Sequence, residues 1–222
     1  MAKLIIARHA ESILNKSNIF SGLIDTPLAD HGIQQSKELG MALKNENIDI
    51  AYVSDLMRAK ETAAIALMEY YKANPKKAPV FSGGACINDP QNCLPIMVDA
   101  RLNERNYGIL EGKAKDDMIA QYGEKRVFMW RRGFHSHPPG GESLFDLYNK
   151  AKSIYMEIII PLLAQGKSVF IVAHQNTLRA FCMMIEAVEI KDMPFIEFNN
   201  CEYIIYDYKK EGRLTRLPLD PF

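Results

Sequence analysis

The sequence predicts an α/β fold around a mainly parallel sheet, because short runs of branched apolar residues alternate with longer stretches whose apolar positions recur every three and four residues. Two of the short runs, Lys3–Ala7 (KLIIA) and Val169–Ala173 (VFIVA), are apolar at nearly every position, the pattern of strands covered on both faces. Each leads within two residues into a histidine, His9 and His174.

After the Lys3–Ala7 strand, the periodicity predicts a helix over Gly32–Asn45, a strand at Ile50–Val53 and a helix over Leu56–Lys72. A strand at Ile96–Val98 follows, then helices over Lys115–Trp130 and Leu144–Ala164, the Val169–Ala173 strand, and a helix over Thr177–Val188. Asn74–Pro95, with four prolines and two adjacent glycines, and His135–Glu142, with Pro138-Pro139-Gly140-Gly141, read as loops. Residues 217–222 read as a loosely held end, and 1–222 as a single domain.

A chain of 222 residues that is 48% apolar can bury a substantial core without metals or disulfides. Its 27 basic and 27 acidic side chains balance, which excludes a global field drawing it to nucleic acid or to an anionic membrane. With no cleavage-site pattern and no long apolar stretch, a cytoplasmic protein is expected. Cys86, Cys93, Cys182 and Cys201 show no CxxC spacing and no neighbouring histidines, so free thiols are expected rather than zinc or a Cys86–Cys93 pair.

Three segments carry chemistry. Arg8-His9-Ala10-Glu11-Ser12, with Asn15, lies where a buried strand meets a polar loop, the end of a parallel sheet at which ligands bind. A histidine there can attack phosphorus if its other ring nitrogen is held and a cation such as Arg8 gathers the phosphate oxygens. Ala173-His174-Gln175-Asn176 repeats the arrangement and opens a helix whose first N–H groups suit an anion. Ser54-Asp55-Leu56-Met57-Arg58-Ala59-Lys60-Glu61-Thr62 passes from strand to helix with Ser54, Arg58 and Thr62 on one face. Read locally, a histidine after a strand is more often a surface or packing residue, and Ser54–Thr62 is better read as a solvated helix face capped by Ser54.

Together, RHAES, SDLMRAKET, LNERNYGILEGK and VAHQN resemble the histidine phosphatase superfamily. Phe20-Ser21-Gly22, the NERNYG segment with Leu110-Glu111-Gly112-Lys113, and Trp130-Arg131-Arg132 narrow the resemblance to the cofactor-dependent phosphoglycerate mutases. That resemblance implies a three-layer αβα sandwich and a small phosphorylated substrate. It also implies 2,3-bisphosphoglycerate as priming phosphate donor, no metal, and a dimer or tetramer, of which a homodimer is the expectation. His9 then takes the phosphoryl group, Arg8, Arg58, His174 and Asn15 neutralise it, and Glu104 is the general acid and base. Ser12, Ser21, Gly22, Tyr107, Lys113, Arg131, Arg132, Gln175 and Asn176 line the substrate pocket.

The chain departs from the pattern at Ala10 and Gln175, where glycine is usual, in the short Pro138–Ser143 segment, and at Glu197–Cys201. An alanine forced into a left-handed backbone costs roughly 1–2 kcal/mol, and Gln175 is expected to crowd the transferring group. These departures keep two alternatives open: a histidine phosphatase for small esters, and a non-catalytic protein that senses a phosphorylated ligand. His31, His135 and His137 receive no role.

Overall fold

The computed structural model of the chain describes residues 1–75, 77–82, 93–209 and 212–218. Its strands, β1 (Lys3–Arg8), β2 (Ile50–Val53), β3 (Ala78–Phe81), β4 (Cys93–Val98), β5 (Val169–Ala173), β6 (Tyr203–Tyr208) and β7 (Leu214–Arg216), form one sheet in the order β3-β4-β2-β5-β1-β6-β7. From β3 to β1 the neighbours run parallel, and β6 and β7 extend the sheet antiparallel. Helices α1 (Ile13–Lys16) and α2 (Asp30–Ala42) lie between β1 and β2, and α3 (Met57–Ala73) between β2 and β3. Between β4 and β5 come α4 (Lys115–Tyr122), α5 (Glu124–Arg132), α6 (Leu144–Ile154) and α7 (Ile160–Ala164), and α8 (Gln175–Glu186) follows β5.

Side chains alternate across a strand, so an all-apolar strand feeds two cores. Leu4, Ile6, Val169 and Ile171 pack with Ala151, Ile154, Leu178 and Phe181 of α6 and α8. Ile5, Ala7, Phe170 and Val172 pack on the other face with Leu39, Ala59, Ala63 and Leu67 of α2 and α3. Each large aliphatic or aromatic side chain buried this way contributes about 1.5–3 kcal/mol. The result is helices on both faces of a mostly parallel sheet.

The stacking order places the chemistry. Because β5 lies between β1 and β2 and parallel to both, the carboxyl ends of all three meet at one edge. Arg8 pairs with Ala173, His9 N–H donates to Ala173 O at 2.9 Å, and Ser54 N–H donates to Val172 O at 3.3 Å.

Several boundaries differ from expectation for local reasons. The helix expected over Lys115–Trp130 is broken at Gly123 (φ 83), and the one over Leu144–Ala164 contains a wider turn at Tyr155–Ile159 just before Pro161, which has no N–H to donate. The helix over Gly32–Asn45 begins at Asp30 and ends in a tighter turn, Leu43–Asn45; the last helix begins at Gln175 and stops at Ala187, whose φ is 53. Asn74–Pro95 is not all loop: it holds β3 and the start of β4. β3 is an edge strand, where Pro79 leaves no interior ladder bond unmade. β6 and β7 were not foreseen. Cys93 is disulfide-bonded, against the expectation of free thiols; Cys182 and Cys201 are free, and Cys86 lies outside the described residues. Among the described residues no helix is long and apolar enough to cross a membrane.

Candidate active site

At the carboxyl edge of β1, β5 and β2 lies a cleft of about 250 Å³. His9 forms part of its wall and is almost wholly buried, and His174 stands behind it with ring centroids 4.9 Å apart. His9 Nδ1 lies 2.7 Å from the Ala10 carbonyl, which can only accept, so Nδ1 carries the proton and Nε2 presents its lone pair. His174 Nε2 bonds Ser54 Oγ at 2.7 Å, leaving its Nδ1 without a partner among the described residues. Burial first, then the charges of Arg58 and Arg8, hold the His9 pKa well below its ordinary value. Burial and Arg58 do the same to His174.

A buried arginine, Arg58, and a half-buried one, Arg8, frame His9. Arg58 Nη1 donates to Ile24 O at 3.0 Å and Nη2 to Gly22 O at 2.8 Å, while Arg8 Nη1 donates to Phe198 O at 2.6 Å. These bonds leave Nε of each arginine, and Ser21 Oγ, buried without a hydrogen-bond partner among the described residues. Burial lowers the Arg58 pKa to about 10, so it remains a cation at neutral pH. Thr62 Oγ1 ties the elements together by accepting from Ala10 N at 3.0 Å and donating to Arg58 O at 2.6 Å.

Glu104 enters from the loop after β4. Its Oε1 accepts from Arg105 N and from Asn176 Nδ2, both at 2.9 Å, and its Oε2 accepts more weakly from Asn176 N at 3.4 Å. An N–H at the start of α8, expected to face phosphate, is therefore turned to a carboxylate of the chain. Tyr107 Oη accepts from Asn176 Nδ2 at 3.0 Å.

A second cationic group occupies another part of the wall. Arg131 lies 5.6 Å over the Phe20 ring and, among the described residues, makes no hydrogen bond or ion pair. Arg132 is committed to Pro194 O and Glu197. Lys113, expected here, is exposed and off the wall; Lys115, two residues on, lines the cleft in its place, with its pKa lowered by burial and then by Arg131. Ser12 is also away from the wall: it caps α1 and orients Asn15, which does line the cleft. The remaining expected residues, Arg8, His9, Ser21, Gly22, Arg58, Glu104, Tyr107, Arg131, Arg132, Gln175 and Asn176, are brought together on it. Lys115, Arg179, Glu197, Ile19 and Phe20 were missed as wall residues. Helical spacing offered a signal for Arg179 alone, one turn after Gln175.

The departures resolve structurally. Ala10 is buried with an ordinary backbone, so no left-handed strain arises there. Gln175 does not project at His9: its Nε2 donates to Ile196 O at 3.1 Å and its Oε1 accepts from Phe198 N at 3.2 Å. The short Pro138–Ser143 segment is fastened to the NERNYG loop, with Ile109 N donating to Pro139 O and Glu142 N to Asn106 O. Gly108 sits at that crossing with φ 52, and an added Cβ would stand 2.2 Å from Pro139 O. Gly108→Ala is expected to lose at least about 1–3 kcal/mol of stability, read as a fall in Tm; an unchanged Tm would contradict the packing.

The lowered histidine pKa values give a second expectation. As pH falls below about 6.5, the unfolded chain takes up protons before the folded one does. The stability tied to the two neutral rings is thus full above that pH and declines below it. In NMR titrations of imidazole shifts, His9 and His174 should remain neutral at pH 6; midpoints near 6.5 would contradict the burial argument.

Among the described residues, no group of three or more His, Cys, Asp or Glu side chains could hold a metal ion. Comparison with known proteins supplies the lineage. The histidine phosphatase superfamily (branch 1) matches over residues 4–76 and 85–219. A 2,3-bisphosphoglycerate-dependent phosphoglycerate mutase of Chlamydia pneumoniae is 35% identical over 94% of this chain and 95% of its own. One of Methanosarcina acetivorans is 36% identical over 97% and 95%. Among solved structures, a mycobacterial glucosyl-3-phosphoglycerate phosphatase has a TM-score of 0.78 at 20% identity, covering 97% of each chain. Bacillus stearothermophilus YhfR has 0.77 at 23%, covering 97% of this chain and 95% of that one, and both likenesses bear on the fold. By its matched length and its identity to these mutases, the chain belongs to the histidine phosphatase superfamily.

Proposed function

We propose that the protein interconverts 3-phosphoglycerate and 2-phosphoglycerate through a phosphohistidine on His9, primed by 2,3-bisphosphoglycerate. The observation that carries this reading is the second cationic group, in which Arg131 and Lys115 face the cleft without an ion-pair partner among the described residues. The ester of a neutral alcohol needs only the cations around His9, whereas a phosphorylated acid needs both groups. The wall carries Arg8, Arg58, Lys115, Arg131, Arg132 and Arg179 against Glu104 and Glu197, an excess of positive charge that suits a bisphosphorylated acid. The names of the mutase relatives point the same way.

In this reading His9 Nε2 attacks phosphorus of 2,3-bisphosphoglycerate in line, the bond to the sugar-acid oxygen breaks, and Glu104 gives that oxygen a proton. Arg8 Nε, Arg58 Nε, Ser21 Oγ and, in its Nδ1–H tautomer, His174 Nδ1 are buried donors, without partners among the described residues, that would meet the phosphoryl oxygens. In the return step Glu104 takes the proton from the hydroxyl of the monophosphate, whose oxygen attacks phospho-His9. When the bisphosphate has given its 3-phosphoryl group to His9 and left as 2-phosphoglycerate, an incoming 3-phosphoglycerate attacks with its 2-hydroxyl, the P–N bond to His9 breaks, and the regenerated bisphosphate completes the isomerisation.

The competing reading is a phosphatase, in which water takes the place of that hydroxyl; the commitment of Arg132 to Glu197 favours it. Incubating the protein in chelator with 3-phosphoglycerate, with and without 2,3-bisphosphoglycerate, separates the two. Bisphosphate-stimulated 2-phosphoglycerate with little free phosphate is expected. Free phosphate from several esters, without isomerisation, would replace this reading with a phosphatase.

A further inference from the structure

Two of the positions at which the chain departs from the mutase pattern touch each other. Glu197 follows the short turn Met193–Phe195 on the cleft wall, and its Oε2 accepts from Gln175 Nε2 at 3.0 Å. Glu197 Oε1 lies 2.5 Å from Arg132 Nη2, and Oε2 lies 3.3 Å from Arg179 Nη2. The last contact is within ion-pair range but misaligned for a hydrogen bond, so Nη2 of this buried arginine has no hydrogen-bond partner among the described residues.

The two sides of this cluster differ in freedom. Arg179 is fixed by bonds to Ile196 O and Asn176 Oδ1, both at 2.7 Å. The Glu197 side chain is 60% exposed, so it can rotate into water at small loss, since half-exposed ion pairs are weak. A carboxylate of the chain thus sits on fixed cations that an incoming carboxylate would seek.

We propose that Glu197 is a built-in competitor for the carboxylate of the substrate. It neutralises Arg132 and Arg179 in the free protein, and an acidic phosphate ester binds by displacing it, whereas an ester without a carboxylate leaves it in place. Glu197 is then a specificity-determining residue that sets the preference between these two ester classes. The identity of the acid as a phosphoglycerate rests on the function proposed above; the competition rests on the arrangement of charges.

The test is calorimetric binding of 3-phosphoglycerate and of glycerol 3-phosphate, which has a hydroxymethyl in place of the carboxylate, to the native protein and to Glu197→Gln and Glu197→Ala. Glutamine keeps the size and can still accept from Arg132, and alanine removes the group altogether. Both variants should bind 3-phosphoglycerate about three- to tenfold more tightly, the effect of removing one competing charge from a half-exposed cluster. Affinity for glycerol 3-phosphate should change less than about twofold. Equal changes for both esters, no change, or weaker binding of 3-phosphoglycerate would overturn the proposal, the last by showing that Glu197 holds the arginines for the substrate. Native protein that binds neither ester would overturn the functional reading together with this proposal. Native protein that binds both, with a preference unmoved by the substitutions, would overturn this proposal alone.

Discussion

His9→Ala is expected to eliminate phosphorylated protein and to lower turnover by at least about 10⁴-fold, because in the proposed mechanism every phosphoryl group passes through Nε2. The fold should survive. The strand and loop around position 9 are held by backbone bonds, such as His9 N to Ala173 O, and by Thr62, none of which involves the imidazole. The neutral state imposed by burial and the neighbouring arginines keeps the lone pair available, and the Ala10 carbonyl keeps it on Nε2. Rates with 3-phosphoglycerate and 2,3-bisphosphoglycerate, and the incorporation of labelled phosphate, measure the effect. Turnover close to native in this variant would remove His9 from the mechanism.

The second large effect is expected from Glu104→Gln. Glutamine can still accept from Arg105 N, so the loop should keep its shape, but an amide cannot relay a proton. A fall in kcat of about 10²–10⁴-fold with little change in KM is predicted. Transfer from p-nitrophenyl phosphate, whose leaving group departs as a stable anion, should suffer much less. An equal loss with both phosphate donors would mean that the carboxylate acts on binding or on structure.

The parts of this site readable from the chain are those that lie on regular elements. His9 and His174 follow nearly all-apolar strands, which are central and parallel, so their ends had to meet, and Ser54 ends the shorter apolar strand beside them. Arg58 and Thr62 are one turn apart on α3, where periodicity is reliable. What was misplaced lies on irregular backbone. Lys113 and Lys115 flank the start of α4, and no periodicity says which of two nearby lysines a turn will aim inward. Glu197 is held by Arg132, Gln175 and Arg179, all distant in sequence or on other elements, so its place depends on tertiary packing. The same holds for β3, whose proline, Pro79, reads as loop until its position at the sheet edge is known.

The central claim is that His9 passes phosphate between phosphoglycerates, and a chase experiment tests it most directly. The protein is mixed with labelled 2,3-bisphosphoglycerate, quenched in base, and digested to locate the label; a parallel sample receives unlabelled 3-phosphoglycerate before the quench. Label is expected on the peptide containing His9, with rapid transfer, on the chase, into bisphosphoglycerate and 2-phosphoglycerate. Label absent from His9, or label that leaves only as free phosphate whether or not 3-phosphoglycerate is added, would contradict that claim.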